Sequence, residues 1–362
     1  MSMRDLAAGV DVGGTFTDCA AISPDGIVLA RKVLSTPDDQ GIGVVAALEA
    51  LGTSSGGVTR IVHGTTVVTN LLLERTGARV VLCATAGATD LLELRRQDRA
   101  SLYDLAAQHP SPLVAPADVV AVDERRTPKG VERALTAAHA SAVVRDALAL
   151  RPEVVVVALL HAYADDSHER LLVEAFRAAD PDLEVVTASG VLPEIREYER
   201  TATAVAEGYA RPAVARYLDR LGERLRAARF PAPAVMTSGG GMQSATAAAT
   251  HAASLALSGP AGGVVGAAAV LRALGDPHAL TIDIGGTSAD AGLILDGEPL
   301  VESGGAVAGV PIALPRCSWR RCPPAEGASR GSTTAARCAW DRAAPVRDRV
   351  RSHSGAGAPR PP

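Results

Sequence analysis

The chain has almost no lysine, few cysteines and no long apolar run, and each shortage excludes something. Lysine occurs only at Lys32 and Lys129, so arginine carries nearly all the positive charge, a bias that points to a GC-rich coding sequence. Net charge is -4 with a pI near 6.1, so no basic excess marks a nucleic-acid binder. The longest apolar candidate, residues 154–160, is of strand length, well short of the roughly 18 to 20 residues that a membrane span needs. No secretory signal is visible before the first apolar segment, so a cytoplasmic protein with no membrane partner is expected. The five cysteines (Cys19, Cys83, Cys317, Cys322, Cys338) follow no spacing of a metal knuckle or a disulfide framework.

What is present is a repeated motif. Asp11-Val12-Gly13-Gly14-Thr15-Phe16-Thr17-Asp18 recurs as Asp283-Ile284-Gly285-Gly286-Thr287-Ser288-Ala289-Asp290. Each copy follows an apolar run and leads into another, which reads as a strand, a tight Gly-Gly turn and a returning strand. Glycine can take positive φ and has no Cβ, so backbone N–H groups can approach an anion closely. Thr15, Thr17 and Thr287 add hydroxyl donors. This is chemistry for holding phosphate, and it makes Gly13, Gly14, Gly285 and Gly286 candidate contacts. Asp11 and Asp283 end their first strands and are candidate ligands for Mg2+, because carboxylates beside phosphate oxygens are what that ion prefers. An ordinary Gly-Gly hairpin explains one copy but not the matched Asp and Thr positions of two.

With 362 residues, about two domains are expected. Between the motifs the pattern alternates strands with helices: strands at 27–33, 78–85, 118–122, 154–160 and 183–187, and helices at 40–51, 71–75 capped by Gly77, 167–179 and 202–225. Residues 130–150 read as a helix pair or one long helix. The class is α/β. His63 closes a strand where such sheets place ligands, or is a histidine satisfied by its neighbours. Thr65 and Thr66 bind ligand or, by the stronger reading, cap a helix. The arginine-rich stretch 93–104 grips an anionic substrate or is a solvated segment with internal ion pairs, the reading preferred. His161, Tyr163 and His168 are not spaced as three ligands on one face.

Six blocks occur in order: His63-Gly64-Thr65-Thr66 with Thr69-Asn70; 93–104 ending Leu102-Tyr103-Asp104; Leu192-Pro193-Glu194-Ile195-Arg196-Glu197-Tyr198-Glu199-Arg200-Thr201; Ser238-Gly239-Gly240-Gly241; Ser258-Gly259-Pro260-Ala261-Gly262-Gly263; and the second Asp-x-Gly-Gly-Thr motif. Together they resemble the hydantoinase A / 5-oxoprolinase family, over roughly residues 8–315. The paired hairpins resemble the wider actin/Hsp70/sugar-kinase superfamily. The resemblance implies two ribonuclease-H-like (actin-like ATPase) domains, the second truncated: residues 1–200 with the first phosphate hairpin and 201–315 with the second. It also implies ATP and Mg2+ as cofactors, a small cyclic amide as substrate and a hydantoinase-B-type subunit as partner. Relatives of this kind open 5-oxoproline or hydantoins, or serve as the ATP-using subunit of acetone or acetophenone carboxylases. A non-catalytic actin-like protein is the reading from another class.

Beyond Pro315 the pattern departs from the family. Residues 316–362 hold ten arginines, three acids, three of the five cysteines and both tryptophans, with no apolar period, so a non-family tail without packed elements is expected. A frameshift after the codon for Pro315 would produce this composition, and it implies weak or absent ATP hydrolysis by this polypeptide alone. The DNA read in the other two frames is expected to encode a Gly-Ala-Gly-Gly-Gly-Ser-like loop; finding none there contradicts the frameshift.

Overall fold

A computed structural model describes residues 5–36, 39–52, 57–284 and 289–322. The described chain forms two compact units. One comprises residues 1–237, 241–259 and 303–315; the other comprises 238–240, 260–302 and the chain from 316.

The first unit opens with β1 (Leu6–Val12), β2 (Phe16–Ile22) and β3 (Val28–Leu34), an antiparallel meander. Alternate residues of β1 are buried, with Leu6, Ala8, Val10 and Val12 facing the core and Asp11 on the exposed face, as the two-residue strand period requires. Helix α1 (Gln40–Glu49) follows, its N-terminus capped by Asp39, whose side chain accepts from the Gly41 N–H. β4 (Val58–Gly64) then pairs parallel to β1, and α2 (Val67–Glu74) follows it. This helix ends on Arg75 in the left-handed conformation, not on Gly77. Gly77 has another role: a Cβ there would lie 2.2 Å from the Tyr209 ring and 2.6 Å from its carbonyl.

A second sheet is wholly parallel. Its strands are β5 (Val80–Thr85), β6 (Val119–Val122), β9 (Val154–Ala158) and β10 (Glu184–Thr187), in the order β10-β9-β5-β6. Short helix α3 (Leu91–Leu94) follows β5. β7 (Arg125–Thr127) and β8 (Gly130–Arg133) form a hairpin, so residues 130–133 are a strand and not the start of a helix. The helix begins later, as α4 (Ala137–Ala149), with Thr136 accepting from His139 N–H. α5 (Ser167–Ala179) covers the expected span. β5 and β9 are buried along their whole length, the signature of strands covered on both faces. Val81, Cys83, Val155 and Val157 pack with residues of α4 and α5, including Val143, Val144, Leu172 and Phe176.

The opposite face is covered by α7 (Glu197–Ala227), which follows the short α6 (Ala188–Val191). A Cβ at Gly208 of α7 would lie 2.7 Å from Val156 and 3.1 Å from Val154, so glycine lets the helix lie close on the sheet. The expected division near residue 200 falls inside this unbroken 31-residue helix. Beyond it, β11 (Pro233–Met236) pairs parallel to β4 and β12 (Met242–Ser244) pairs with β11, completing a first sheet of order β12-β11-β4-β1-β2-β3. α8 (Ala245–Thr250) follows.

In the second unit, residues of α9 (Ser258–Leu274) pack against β14 (Ala289–Leu295), with Val264, Ala268 and Ile294 buried together. β13 (Ala279–Ile284) pairs antiparallel with β14, whose free edge takes Trp319–Cys322 as a further antiparallel strand. The tail therefore contributes a paired strand where the composition suggested none; residues 323–362 lie outside the described residues. Among the described residues no helix is long and apolar enough to cross a membrane.

The Gly77 contact yields a stability prediction. Because one clashing atom is a backbone carbonyl that cannot swing away, Gly77→Ala is expected to cost about 1–3 kcal/mol in urea unfolding. An unchanged midpoint would contradict the packing described.

Candidate functional site

The two motifs fold alike where they are described. Asp11 pairs with Asp18 and Val12 with Thr17; Asp283 pairs with Asp290 and Ile284 with Ala289, leaving four residues at each tip. Gly285, Gly286 and Thr287 lie outside the described residues, so that candidate site is represented by its stem, with Asp283 exposed.

The first tip can be followed atom by atom. Neither Gly13 nor Gly14 lies among the positive-φ residues, so backbone freedom is not what places glycine here. A Cβ on Gly13 would lie 3.1 Å from the Phe16 carbonyl, which accepts from the Gly13 N–H at 3.0 Å. The Gly13 amide is thus used inside the turn. Gly14 is exposed with open space around it, Thr15 is exposed, and among the described residues neither amide donates to the protein. Those two N–H groups are the ones free to meet an anion.

Ser35, which the sequence pattern did not single out, staples this turn. Its N–H donates to the Thr15 carbonyl at 2.9 Å and its hydroxyl to the Gly13 carbonyl at 2.7 Å. Thr17 is fully buried, with its hydroxyl 3.1 Å from that of Ser35. Its side chain belongs to the stem, away from the exposed tip.

Asp11 stands at the centre of three converging segments. In the parallel pairing of β1 with β4 it lies opposite Gly64, and a Cβ on Gly64 would fall 2.7 Å from Asp11 Oδ1. A Cβ on Gly259, at the start of α9, would fall 3.1 Å from the same oxygen. The carboxylate therefore sits in a notch that only two glycines leave open. Ser258 clamps the notch: its buried hydroxyl donates to the Thr65 carbonyl at 3.0 Å and accepts from the Thr65 N–H at 3.2 Å. Thr66 donates to the Val12 carbonyl at 3.3 Å, and Thr69 accepts from Leu257 N–H at 3.1 Å. Of the two threonines expected to cap α2, Thr65 accepts from the Val67 N–H at 3.2 Å, whereas the Thr66 hydroxyl ties the loop to β1. Gly64, Ser258 and Gly259 were visible only as members of glycine-rich blocks, because their role arises from contacts across distant sequence.

His63 turns out to be structural. It is fully buried, Nδ1 donating to the Val10 carbonyl at 3.2 Å and Nε2 accepting from the Tyr217 hydroxyl at 2.6 Å. Burial pulls its pKa down to about 4, against the opposing effect of the Val10 bond. Burial also raises the Tyr217 hydroxyl, which bonds to Thr65 as well. The arginine-rich stretch 93–104 is largely exposed, as the solvated reading expects, but Arg96 pairs outside it, gripping Glu199 through two bonds of 2.8 and 2.6 Å.

The donor set suits a hard cation. Asp11 supplies carboxylate oxygen on the exposed face of β1, at a notch a methyl group would fill, and the adjacent tip offers free amides for the anion such a cation accompanies. These residues fit Mg2+ with a phosphate. Among the described residues no group of three or more His, Cys, Asp and Glu side chains forms a closed metal site.

Two predictions follow from this geometry. Gly64→Ala meets only the movable end of the Asp11 side chain, so the fold is expected to survive while Mg2+-dependent nucleotide binding weakens at least tenfold; unchanged binding by calorimetry would contradict the notch. For His63, the unfolded chain takes up a proton near pH 6.5 that the folded protein resists until about pH 4. Stability is then present above pH 6.5 and lost as pH falls toward 4, by about 2 kcal/mol between pH 6.5 and 5. Urea unfolding of His63→Gln should lack that part of the pH dependence, and identical profiles would overturn the assignment.

Comparison with known proteins places this architecture. The hydantoinase/oxoprolinase N-terminal region matches residues 7–179, and the hydantoinase/oxoprolinase region matches residues 200–332, reaching past Pro315, where a departure from the family is expected from the composition. Caprolactamase subunit alpha of Pseudomonas jessenii is 30% identical over 307 residues, 80% of this chain and 43% of that protein. The solved structure of ATP-dependent caprolactamase from Pseudomonas jessenii superposes with a TM-score of 0.76 at 26% identity, over 87% of this chain and 47% of that one. The nucleotide-free structure of acetone carboxylase gives the same TM-score and identity over 88% of this chain and 48% of that one. The chain spans about half the length of the curated relatives it matches. The mixed α/β fold is that of these structures, and the chain belongs to the hydantoinase/oxoprolinase family.

Proposed function

We propose that this chain is the ATP-using part of a hydrolase subunit that opens small cyclic amides, of the hydantoin or 5-oxoproline type, by phosphorylating the ring carbonyl. The observation that carries this reading is the Asp11 notch, formed by Gly64 and Gly259 beside the free amides of Gly14 and Thr15, in a member of this family. The order of the first sheet, an antiparallel meander continued by two parallel strands, supports a ribonuclease-H-like domain. The stem of the second hairpin, an antiparallel pair of the same register, is in keeping with a second domain of that kind.

In this reading Asp11 would hold Mg2+, and Asp283 is the corresponding candidate of the second hairpin. Gly14 and Thr15 offer N–H groups to phosphate oxygens; Gly285, Gly286 and Thr287, outside the described residues, are the second hairpin's candidates for the same chemistry. Phosphoryl transfer needs little covalent chemistry from protein; it needs positioning and charge neutralisation, which fixed amides supply without reorganising. Bound Mg2+ would supply the charge neutralisation between phosphate oxygens. Ser35, by fixing both carbonyls of the turn, keeps its amides pointed outward. A hydantoinase-B-type partner completes the reaction, in keeping with the designation of one relative as an alpha subunit, and a cytoplasmic location belongs to the same reading.

The alternative is the ATP-using subunit of an acetone- or acetophenone-type carboxylase, supported by the superposition on acetone carboxylase. Bicarbonate separates the two. With a hydantoinase-B-type subunit added, ATP hydrolysis is expected to rise with hydantoin, 5-oxoproline or caprolactam and to fall by about a hundredfold in Asp11→Asn, on the scale of losing one charge-stabilising group. Stimulation only by a ketone with bicarbonate would favour the carboxylase. An Asp11→Asn variant with full nucleotide binding would sink both.

A further inference from the structure

The C-terminal end of β9 is held by more buried charge than packing requires. Glu169 accepts from the Leu159 N–H at 3.0 Å, Arg200 donates to the Leu159 carbonyl at 2.9 Å, Thr85 accepts from the Leu160 N–H at 3.0 Å, and Glu197 accepts from the His161 N–H at 3.2 Å. The supports are themselves supported. Thr85 donates to Glu124, which accepts from His168 Nδ1 at 2.8 Å; Glu169 accepts from the Ser189 N–H at 3.0 Å; Arg200 pairs with Glu197 and donates to the Glu194 carbonyl at 3.0 Å. Arg200 is completely buried and Glu169 nearly so. Apolar side chains would fill this space at lower cost, so the arrangement needs a reason beyond stability.

What it fixes is His161. Its backbone is held at φ 59, in the left-handed region that residues with a Cβ enter uncommonly. Three more such residues, Arg95, Gln97 and Arg196, lie on segments that meet through the Arg96–Glu199 pair next to Glu197 and Arg200. Conformations of this kind gather at ligand sites. The imidazole is half-buried, with Nδ1 3.3 Å from the Tyr163 hydroxyl, and the Arg200 guanidinium lies 5.4 Å from the centre of the Tyr163 ring. Among the described residues Nε2 has no hydrogen-bond partner.

The position in the fold is also one where ligands bind. From β5 the chain winds to β6 on one side, and from β9 to β10 on the other, so the ends of β5 and β9 flank the point where the winding reverses. We propose that His161, oriented by Tyr163, forms an amide-binding subsite at this reversal point. An amide carries one donor and one acceptor, and Nε2 can serve either: protonated it donates to the carbonyl, unprotonated it accepts from the ring N–H. The location rests on the geometry; the choice of a cyclic amide as ligand rests on the proposed ring-opening reaction.

His161→Asn keeps a residue that tolerates left-handed backbone, and Tyr163→Phe removes one hydroxyl. The full chain would be titrated with 5-oxoproline and with hydantoin by calorimetry, while the His161 imidazole resonance, assigned by its loss in His161→Asn, is followed by NMR. The subsite requires that amide shifts this resonance, that binding weakens at least tenfold in His161→Asn and severalfold in Tyr163→Phe, and that Mg2+-ATP binding stays unchanged in both. If His161→Asn does not fold, Tyr163→Phe decides. Amide binding that both variants retain in full overturns the subsite and leaves the ring-opening reading standing. A wild-type chain that binds Mg2+-ATP but neither amide overturns both.

Discussion

A carboxylate can sit between two backbone segments only if neither carries a side chain at the point of approach. Asp11 is in that position, with Gly64 on the neighbouring strand and Gly259 at a helix start. Much of the first unit serves to keep those three in register. β1 and β4 pair in parallel so that Asp11 lies opposite Gly64, and Ser258 locks the residue before Gly259 to the residue after Gly64. Beneath them, the buried His63 joins Val10 of β1 to Tyr217 of α7, and Tyr217 reaches back to Thr65. A histidine that remains neutral is suited to this, because it donates and accepts without placing a charge below a carboxylate.

The second sheet uses buried polarity differently. Apart from Thr85 at the end of β5, its two central strands are apolar, and their burial between α4, α5 and α7 accounts for their stability. Charged groups enter only where the strands end, and there they bind backbone, which lets the chain leave the sheet in conformations an unsupported loop would not keep. α7 connects both regions: its first turn holds the end of β9, Gly208 lets it lie on that sheet, and Tyr217 supports the Asp11 notch. Local motion of α7 would therefore affect both places at once.

The fold class, the hairpin repeat and several elements were legible in the sequence because each is marked by local pattern. The 154–160 run could only be a buried strand, and the helix at 167–179 is amphipathic and ends where expected. Residues 130–133 misled because valine and charged neighbours suit a helix face as well as a strand; Gly130, at φ 132, is the residue that turns the chain into a hairpin. The trailing strand at Trp319–Cys322 gave no signal, since its place depends on the open edge of β14 and not on its own apolar period. Ser35, Gly64, Ser258 and Gly259 could not be ranked either, because nothing local distinguishes a serine that staples a distant turn from one that faces water.

The central claim is that Asp11 and the turn beside it form the place where a metal-bound phosphate is held. Manganese can replace magnesium at oxygen ligands and is visible by its anomalous scattering, so a crystal of this chain with Mn2+ and a non-hydrolysable ATP analogue tests the claim most directly. The account predicts a manganese peak bound to the Asp11 carboxylate directly or through one water, with phosphate oxygens within hydrogen-bond reach of the Gly14 and Thr15 amides. A manganese–nucleotide complex bound elsewhere, with the Asp11 notch holding neither metal nor phosphate, would contradict it.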